Sequence, residues 1–158
     1  MSSEKRKIAY IDGKPYEIGA NHTSILKFVK SYIGEKKVPT LCDDPNLAPY
    51  GACRVCSVEV ALEKDGPTRM VASCHTPVAE NQHIFTSNEA ITSLRKNIVE
   101  LVLTDHPMEC DSCEVNNNCE LQTVANDLGI SDHRYNSPKQ HKGIPRDTSH
   151  DYMRMNLD

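Results

Sequence analysis

Tryptophan is absent from this sequence and phenylalanine occurs only twice in 158 residues, so the supply of large core side chains is thin. Hydrophobic residues amount to 38%. A small domain built from such a chain gains from an inorganic staple. Basic residues are not in excess: 18 Lys and Arg stand against 22 Asp and Glu, a formal charge of −4. That balance gives no electrostatic reason to expect nucleic acid or an anionic membrane as partner. No apolar run approaches the length that crosses a bilayer, so direct membrane insertion is not expected. No charged-then-apolar leader opens the chain, and the expected compartment is the cytoplasm. No G-x-G-x-x-G follows a strand and no phosphate loop is present, so nucleotide binding is not supported. Asp, Glu and Ser are scattered without a catalytic constellation, and no catalytic residue is assigned. Neither an internal repeat nor a low-complexity tract is visible.

Cysteine, by contrast, is present seven times. Clustered thiols in the cytoplasm are better read as metal ligands than as disulfides, and an odd count argues against a pure disulfide framework. The cysteines fall into two groups. Cys42, Cys53, Cys56 and Cys74 are spaced C-x10-C-x2-C-x17-C, and Cys110, Cys113 and Cys119 follow a histidine as H-x3-C-x2-C-x5-C, beginning at His106. With that histidine counted, two sets of four are complete and no cysteine is left over.

The pattern along the chain supplies a frame for these sets. Lys7 to Ala20 holds two short alternating segments around Asp12-Gly13, a hairpin signal. Thr23 or Ser24 can cap a helix whose apolar stripe is Ile25, Leu26, Phe28, Val29, Tyr32 and Ile33, stopped by Gly34. Strand, strand, helix is the opening of a β-grasp arrangement. Val38 to Ala52, rich in Pro and Asp, reads as an irregular loop. Val55 to Leu62 alternates like a strand, Lys64 to Pro67 is a turn, Arg69 to Val78 is a partner strand carrying Cys74, and Ile84 to Ser87 is a last short strand. Ser87 or Asn88 should cap a helix with Ile91, Leu94, Ile98, Leu101 and Val102 buried, ended by His106-Pro107. Glu120 to Leu128 reads as a short helix stopped by Gly129. From Ser131 the chain is polar, and an extended arm is expected, with His133, His141 and His150 solvated. At this length one domain, or two small ones sharing a core, is expected.

A [2Fe–2S] cluster takes four thiolates, and a two-residue gap such as Cys53–Cys56 lets adjacent cysteines hold one side of it. Gly51 and Ala52 are small, which lets backbone N–H groups approach the sulfurs and stabilise an added electron. An all-cysteine zinc site is the main rival, although zinc commonly uses two C-x2-C pairs and this set has one. A one-His, three-Cys zinc site is likewise open for the second set. A lone histidine before a proline would ordinarily be a surface or capping residue; its offset from three cysteines favours ligation. His75 reads as a solvent-facing or supporting neighbour of Cys74. Arg54 and Arg95 would offset cluster charge, and an ordinary surface arginine has the same signature.

The wording L-A-P-Y-G-A-C-R-V-C and A-S-C-H-T-P-V, then D-H-P-M-E-C and C-E-L-Q, resembles the N-terminal iron–sulfur module of the complex I large iron–sulfur subunit. Iron-only hydrogenases and NAD-dependent formate dehydrogenase α subunits share that module, and the wording is most similar to the formate dehydrogenase branch. The resemblance implies Cys42, Cys53, Cys56 and Cys74 as ligands of one [2Fe–2S] cluster. It implies His106, Cys110, Cys113 and Cys119 as ligands of one [4Fe–4S] cluster. The implied fold is α+β: a β-grasp ferredoxin-like domain over 1–88, a small helical domain over 89–130 and an extended arm over 131–158. The implied role is a relay of single electrons, non-catalytic by itself, between a catalytic subunit and a flavin/NAD(P) or ferredoxin partner. The catalytic subunit would carry molybdenum, tungsten or a hydrogenase centre. The alternatives are a subunit of a complex I-like NADH dehydrogenase, a zinc-stapled assembly module and a redox or iron sensor. For a sensor, no DNA-binding helix pair or basic patch appears.

Overall fold

A computed structural model describes residues 6–132, 134–135 and 146–155. The first hairpin forms as the sequence predicts. Strand β1 (Ile8–Ile11) pairs antiparallel with β2 (Lys14–Glu17). Between them Asp12 and Gly13 take φ of 47° and 82°, the left-handed pair that a two-residue turn needs if the strands are to keep their twist. The Asp12 carboxylate is then used a second time: it accepts from the backbone N–H of Thr86 at 2.8 Å and from its hydroxyl at 2.6 Å.

Helix α1 (Ile25–Ile33) starts at Ser24, whose side chain accepts from the Lys27 N–H, and stops at Gly34 with φ 92°. Its stripe of Ile25, Leu26, Phe28 and Val29 is fully buried. Tyr32 lies at the rim, its hydroxyl donating to the Glu17 carbonyl at 2.7 Å. The long loop leads into β3 (Ser57–Ala61), β4 (Arg69–Ala72) and β5 (His83–Phe85). The five strands lie in the order β2-β1-β5-β3-β4, with β1 and β5 parallel and every other pair antiparallel. This is a β-grasp sheet with α1 packed on one face.

Three expectations are corrected here. The partner strand does not run to Val78; it ends at Ala72, where Thr76 bonds back to the Ala72 carbonyl through both its N–H (3.2 Å) and its hydroxyl (2.7 Å). Cys74 therefore sits in a turn. Helix α2 (Glu89–Leu103), capped by Asn88, buries Ile91, Arg95, Val99, Glu100 and Leu103. Leu101 and Val102, expected inside, are exposed, and Leu94 and Ile98 are half-buried. The buried face is set instead by two charged side chains: Arg95 reaches the Val55 and Ser57 carbonyls, and buried Glu100 pairs with Arg134. The helix also ends at Leu103, ahead of His106-Pro107.

A 3-10 turn, η1 (Cys110–Ser112), and helix α3 (Glu120–Asp127) complete the regular elements. Gly129, φ 65°, follows α3 as its stop. Two cores result. One lies between α1 and the sheet and includes Cys56 and Cys74. The other gathers Val55, Val99, Leu103, Val124, Ala125 and Ile130, with Leu41 and Cys53 against it. Strand β3 is thus covered on both faces, which is why its burial does not alternate as expected. Within the arm, residues 146–155 bend back through an Asp147–Met155 bridge, and His150 is exposed. His133 and His141 lie outside the described residues.

Candidate metal centres

The loop after α1 and the β3–β4 hairpin bring the first four cysteines together. Cys42 lies early in the loop, Cys53 and Cys56 at its far end before β3, and Cys74 in the turn after β4. The Cys53 N–H points at Sγ of Cys42 at 3.5 Å. Ala52 also directs its backbone N–H to Cys42, Gly51 to Cys74, and Val55, Leu41 and Cys42 to Cys53. A set of thiols ringed by inward-pointing amides is what an anionic sulfur cluster needs, since each N–H offsets negative charge on a sulfur.

The thiols also feel one another. Burial pushes the Cys74 thiol up to about 12, with the charge and side chain of Cys56 adding to the effect. Burial likewise raises Cys42. For Cys53 burial acts upward too, yet the Val55 N–H, the Cys42 side chain and the neighbouring amides outweigh it, and the thiol ends below its ordinary value. Burial and mutual repulsion oppose ionising these thiols together, and a bound polycation relieves both, so the donor set fits an iron–sulfur group.

Gly51 shows how tight the loop is. Its φ is 70°, and a Cβ there would stand 3.2 Å from Nδ1 and 3.3 Å from Cε1 of His75. The His75 ring is itself held by the Ala72 carbonyl, 3.1 Å from Nδ1. His75 is exposed, in keeping with a supporting neighbour. Arg54 is also exposed, with φ 63°, and contributes its carbonyl, which accepts from the Ser57 hydroxyl at 2.6 Å. Arg95 is the residue that sequence reasoning undervalued: it is 5% exposed and bonds to the backbone on both sides of Cys56.

The second set occupies one continuous surface segment between α2 and α3. His106 is exposed after the helix end, with its N–H bonded to the Leu103 carbonyl at 3.2 Å. Cys110 opens η1 and its carbonyl accepts from the Cys113 N–H at 3.1 Å. Cys119 is the N-cap of α3 but makes no side-chain capping bond, so its sulfur is left for another partner at the positive end of the helix. The turn between Cys113 and Cys119 is fixed by Gln122, which accepts from the Asn117 N–H and donates to Asn116, both at 2.8 Å. Among the described residues no three His, Cys, Asp or Glu side chains converge on a single-ion site. A cleft of about 280 Å³ has Thr40, beside the first set, on one wall and Cys119 with Asn118 and Thr123 on another.

Comparison with known proteins bears on both sets. A family model described as a 2Fe-2S iron-sulfur cluster binding domain matches residues 8–89. One described as the NADH-ubiquinone oxidoreductase-G iron-sulfur binding region matches residues 95–134. The chain is 34% identical over 137 residues to NADPH-Fe(3+) oxidoreductase subunit alpha of Geobacter sulfurreducens, covering 87% of this chain and 15% of the relative. It is 32% identical over 132 residues to a subunit of the NADH-quinone oxidoreductase of Escherichia coli, covering 83% and 14%. This chain thus spans only about a seventh of the length of these relatives. The crystal structure of an NAD+-reducing [NiFe]-hydrogenase in the H2-reduced state shares the fold, with a TM-score of 0.73 at 23% identity, over 92% of this chain and 57% of that one. None of these three is a formate dehydrogenase, the branch whose wording the sequence favours.

Proposed function

The chain belongs to the family of 2Fe-2S iron-sulfur cluster binding domains and carries the NADH-ubiquinone oxidoreductase-G iron-sulfur binding region after it, and from this we propose which residues hold the clusters and what they serve. It is an iron–sulfur electron-transfer module with one [2Fe–2S] and one [4Fe–4S] cluster, in the manner of its NADH-quinone oxidoreductase relatives. Cys42, Cys53, Cys56 and Cys74 hold the first, and His106, Cys110, Cys113 and Cys119 the second. Gly51 and Ala52 present backbone N–H groups to the first. The observation that carries the reading is the set of backbone amides turned toward Cys42, Cys53 and Cys74, with Cys56 beside Cys74.

When bound, each cluster accepts and donates one electron without forming or breaking bonds to a substrate. The chain's residues fix where that happens. Cys56 and Cys74 are sealed in the first core, while Cys42 and Cys53 are half-buried toward the loop surface. His106, a neutral donor in place of a thiolate, leaves the second cluster with one negative charge fewer, which alters its potential. The module works within a larger oxidoreductase, passing electrons between a hydrogenase, formate or other catalytic subunit and a flavin/NAD(P) or ferredoxin partner. The division into 1–88, 89–130 and an arm from 131 is the organisation we propose for it, and the cytoplasm its place.

The test is iron, zinc and acid-labile sulfide analysis of anaerobically purified protein, with EPR after reduction. About six irons per chain and two distinct reduced signals are expected. Zinc without sulfide would overturn the reading in favour of a structural scaffold. Oxidation of formate, hydrogen or NADH by the pure chain would overturn its non-catalytic role.

A further inference from the structure

We propose that Arg95 is a positioning residue for the [2Fe–2S] centre, whose buried positive charge favours the reduced cluster and so raises its potential. The inference rests on the ligand set proposed above. Arg95 comes from α2, the helix that leads to the second set, yet its side chain reaches into the first. Its Nε donates to the Val55 carbonyl at 3.1 Å and its Nη2 to the Ser57 carbonyl at 2.7 Å. Those two carbonyls flank Cys56, so the guanidinium fork spans the ligand residue. From the other side the Ser73 hydroxyl donates to the Cys56 carbonyl at 2.7 Å. Cys56 is therefore held by its backbone on both sides, and its side chain meets that of Cys74.

The charge has no conventional partner. Among the described residues no carboxylate lies within salt-bridge distance of Arg95; every ion pair involves other cations. A buried guanidinium bonded only to neutral carbonyls carries a desolvation cost that nothing on its own element offsets. Four thiolates with two bridging sulfides outweigh the iron charge, so the group is anionic and gains a further negative charge on taking an electron. A fixed cation nearby, screened little because it is buried, stabilises that added charge.

The experiment is an EPR-monitored redox titration of the anaerobic, cluster-loaded full chain, wild type against Arg95→Gln, Arg95→Met and Arg95→Lys. Gln and Met remove the charge with different packing; Lys keeps the charge and loses the fork. The neutral variants should shift the reduced-to-oxidised ratio of the [2Fe–2S] cluster at fixed potential at least tenfold toward oxidised, about 59 mV for one electron. R95K should stay within about threefold of wild type, and the [4Fe–4S] signal should move less than the [2Fe–2S] signal in every variant. Loss of the [2Fe–2S] signal from both neutral variants with retention in R95K also supports the charge role. Equal shifts in R95Q and R95K, no shift in R95Q, or loss of the signal from all three variants overturns it. A wild-type protein lacking the [2Fe–2S] signal would instead strike down the ligand set itself.

Discussion

Cys53 turns its backbone N–H toward the sulfur of Cys42 at 3.5 Å, across eleven positions of chain. This one approach closes the irregular loop into a ring and defines the rim of the first centre. A ring of this kind has a specific vulnerability, because one ligand's sulfur is held by the backbone of another.

Serine substitution of Cys42, Cys53, Cys56 or Cys74 should remove the [2Fe–2S] signal and about two irons per chain, leaving the [4Fe–4S] signal in place. Substitution of Cys110, Cys113 or Cys119 should do the reverse, with loss of about four irons. His106→Cys should keep those irons with a changed potential, whereas His106→Ala should deplete them. Iron analysis with EPR reads all of these. Loss of both signals from any single variant would contradict the separate ligand sets.

Gly51→Ala should be costly for two separable reasons. The positive φ alone costs about 1–2 kcal/mol for a residue with a Cβ, and the new methyl would press on the His75 ring at 3.2 Å. The variant should unfold at lower temperature and lose its [2Fe–2S] signal faster in air. Adding His75→Ala should restore part of the loss, since it relieves the contact and not the φ. A variant as stable as wild type would show that the loop relaxes freely.

Asp12→Ala should destabilise the sheet by about 1–3 kcal/mol, because the Thr86 N–H and hydroxyl would lose their acceptor in a buried site. Thr86 is 0% exposed. Asp12→Asn should be milder, since it keeps an oxygen acceptor and tolerates the left-handed turn. Denaturant unfolding measures the difference, and the EPR signals of the folded variants should be unchanged. Equal stability of D12A and wild type would deny the clamp any part in holding β5.

Removal of iron by chelation under reducing conditions should loosen the molecule unevenly. The loop containing Cys42 and the turn containing Cys74 have few ladder bonds of their own, so hydrogen exchange should accelerate most over about residues 41–56 and 73–76. The β1–β2 hairpin and α1 should keep more protection. Uniform acceleration would mean that the clusters hold the entire fold and not these loops.

How much of this was legible in the sequence varies by residue. The Asp12-Gly13 turn, the Ser24 and Asn88 caps and the Gly34 and Gly129 stops were readable because local backbone chemistry decides them. The nearness of Cys53 to Cys42, and of Cys56 to Cys74, follows the spacing of the first four cysteines. The face of α2 was not. Counting apolar positions picks Leu101 and Val102, but Arg95 finds the Val55 and Ser57 carbonyls and Glu100, 2% exposed, accepts from Arg134 at 2.6 Å. Those bonds join residues 34 to 40 positions apart, and no local pattern announces them. The end of β4 at Ala72 escaped for a similar reason: the Thr76 hydroxyl, one polar atom, turns the chain ahead of Cys74.

The second core has a bearing on how such a module can be moved between proteins. Cys53 and Leu41, from the ferredoxin-like half, are packed against Val99, Leu103 and Val124 of the helical half. A transplanted first half cut before α2 would leave an oily wound beside one of its own proposed iron ligands. A recombination event that keeps the pair intact carries its sealant along. The two cluster-binding regions would then travel as one cassette, and their pairing in larger oxidoreductases would follow from packing as well as from the sharing of electrons.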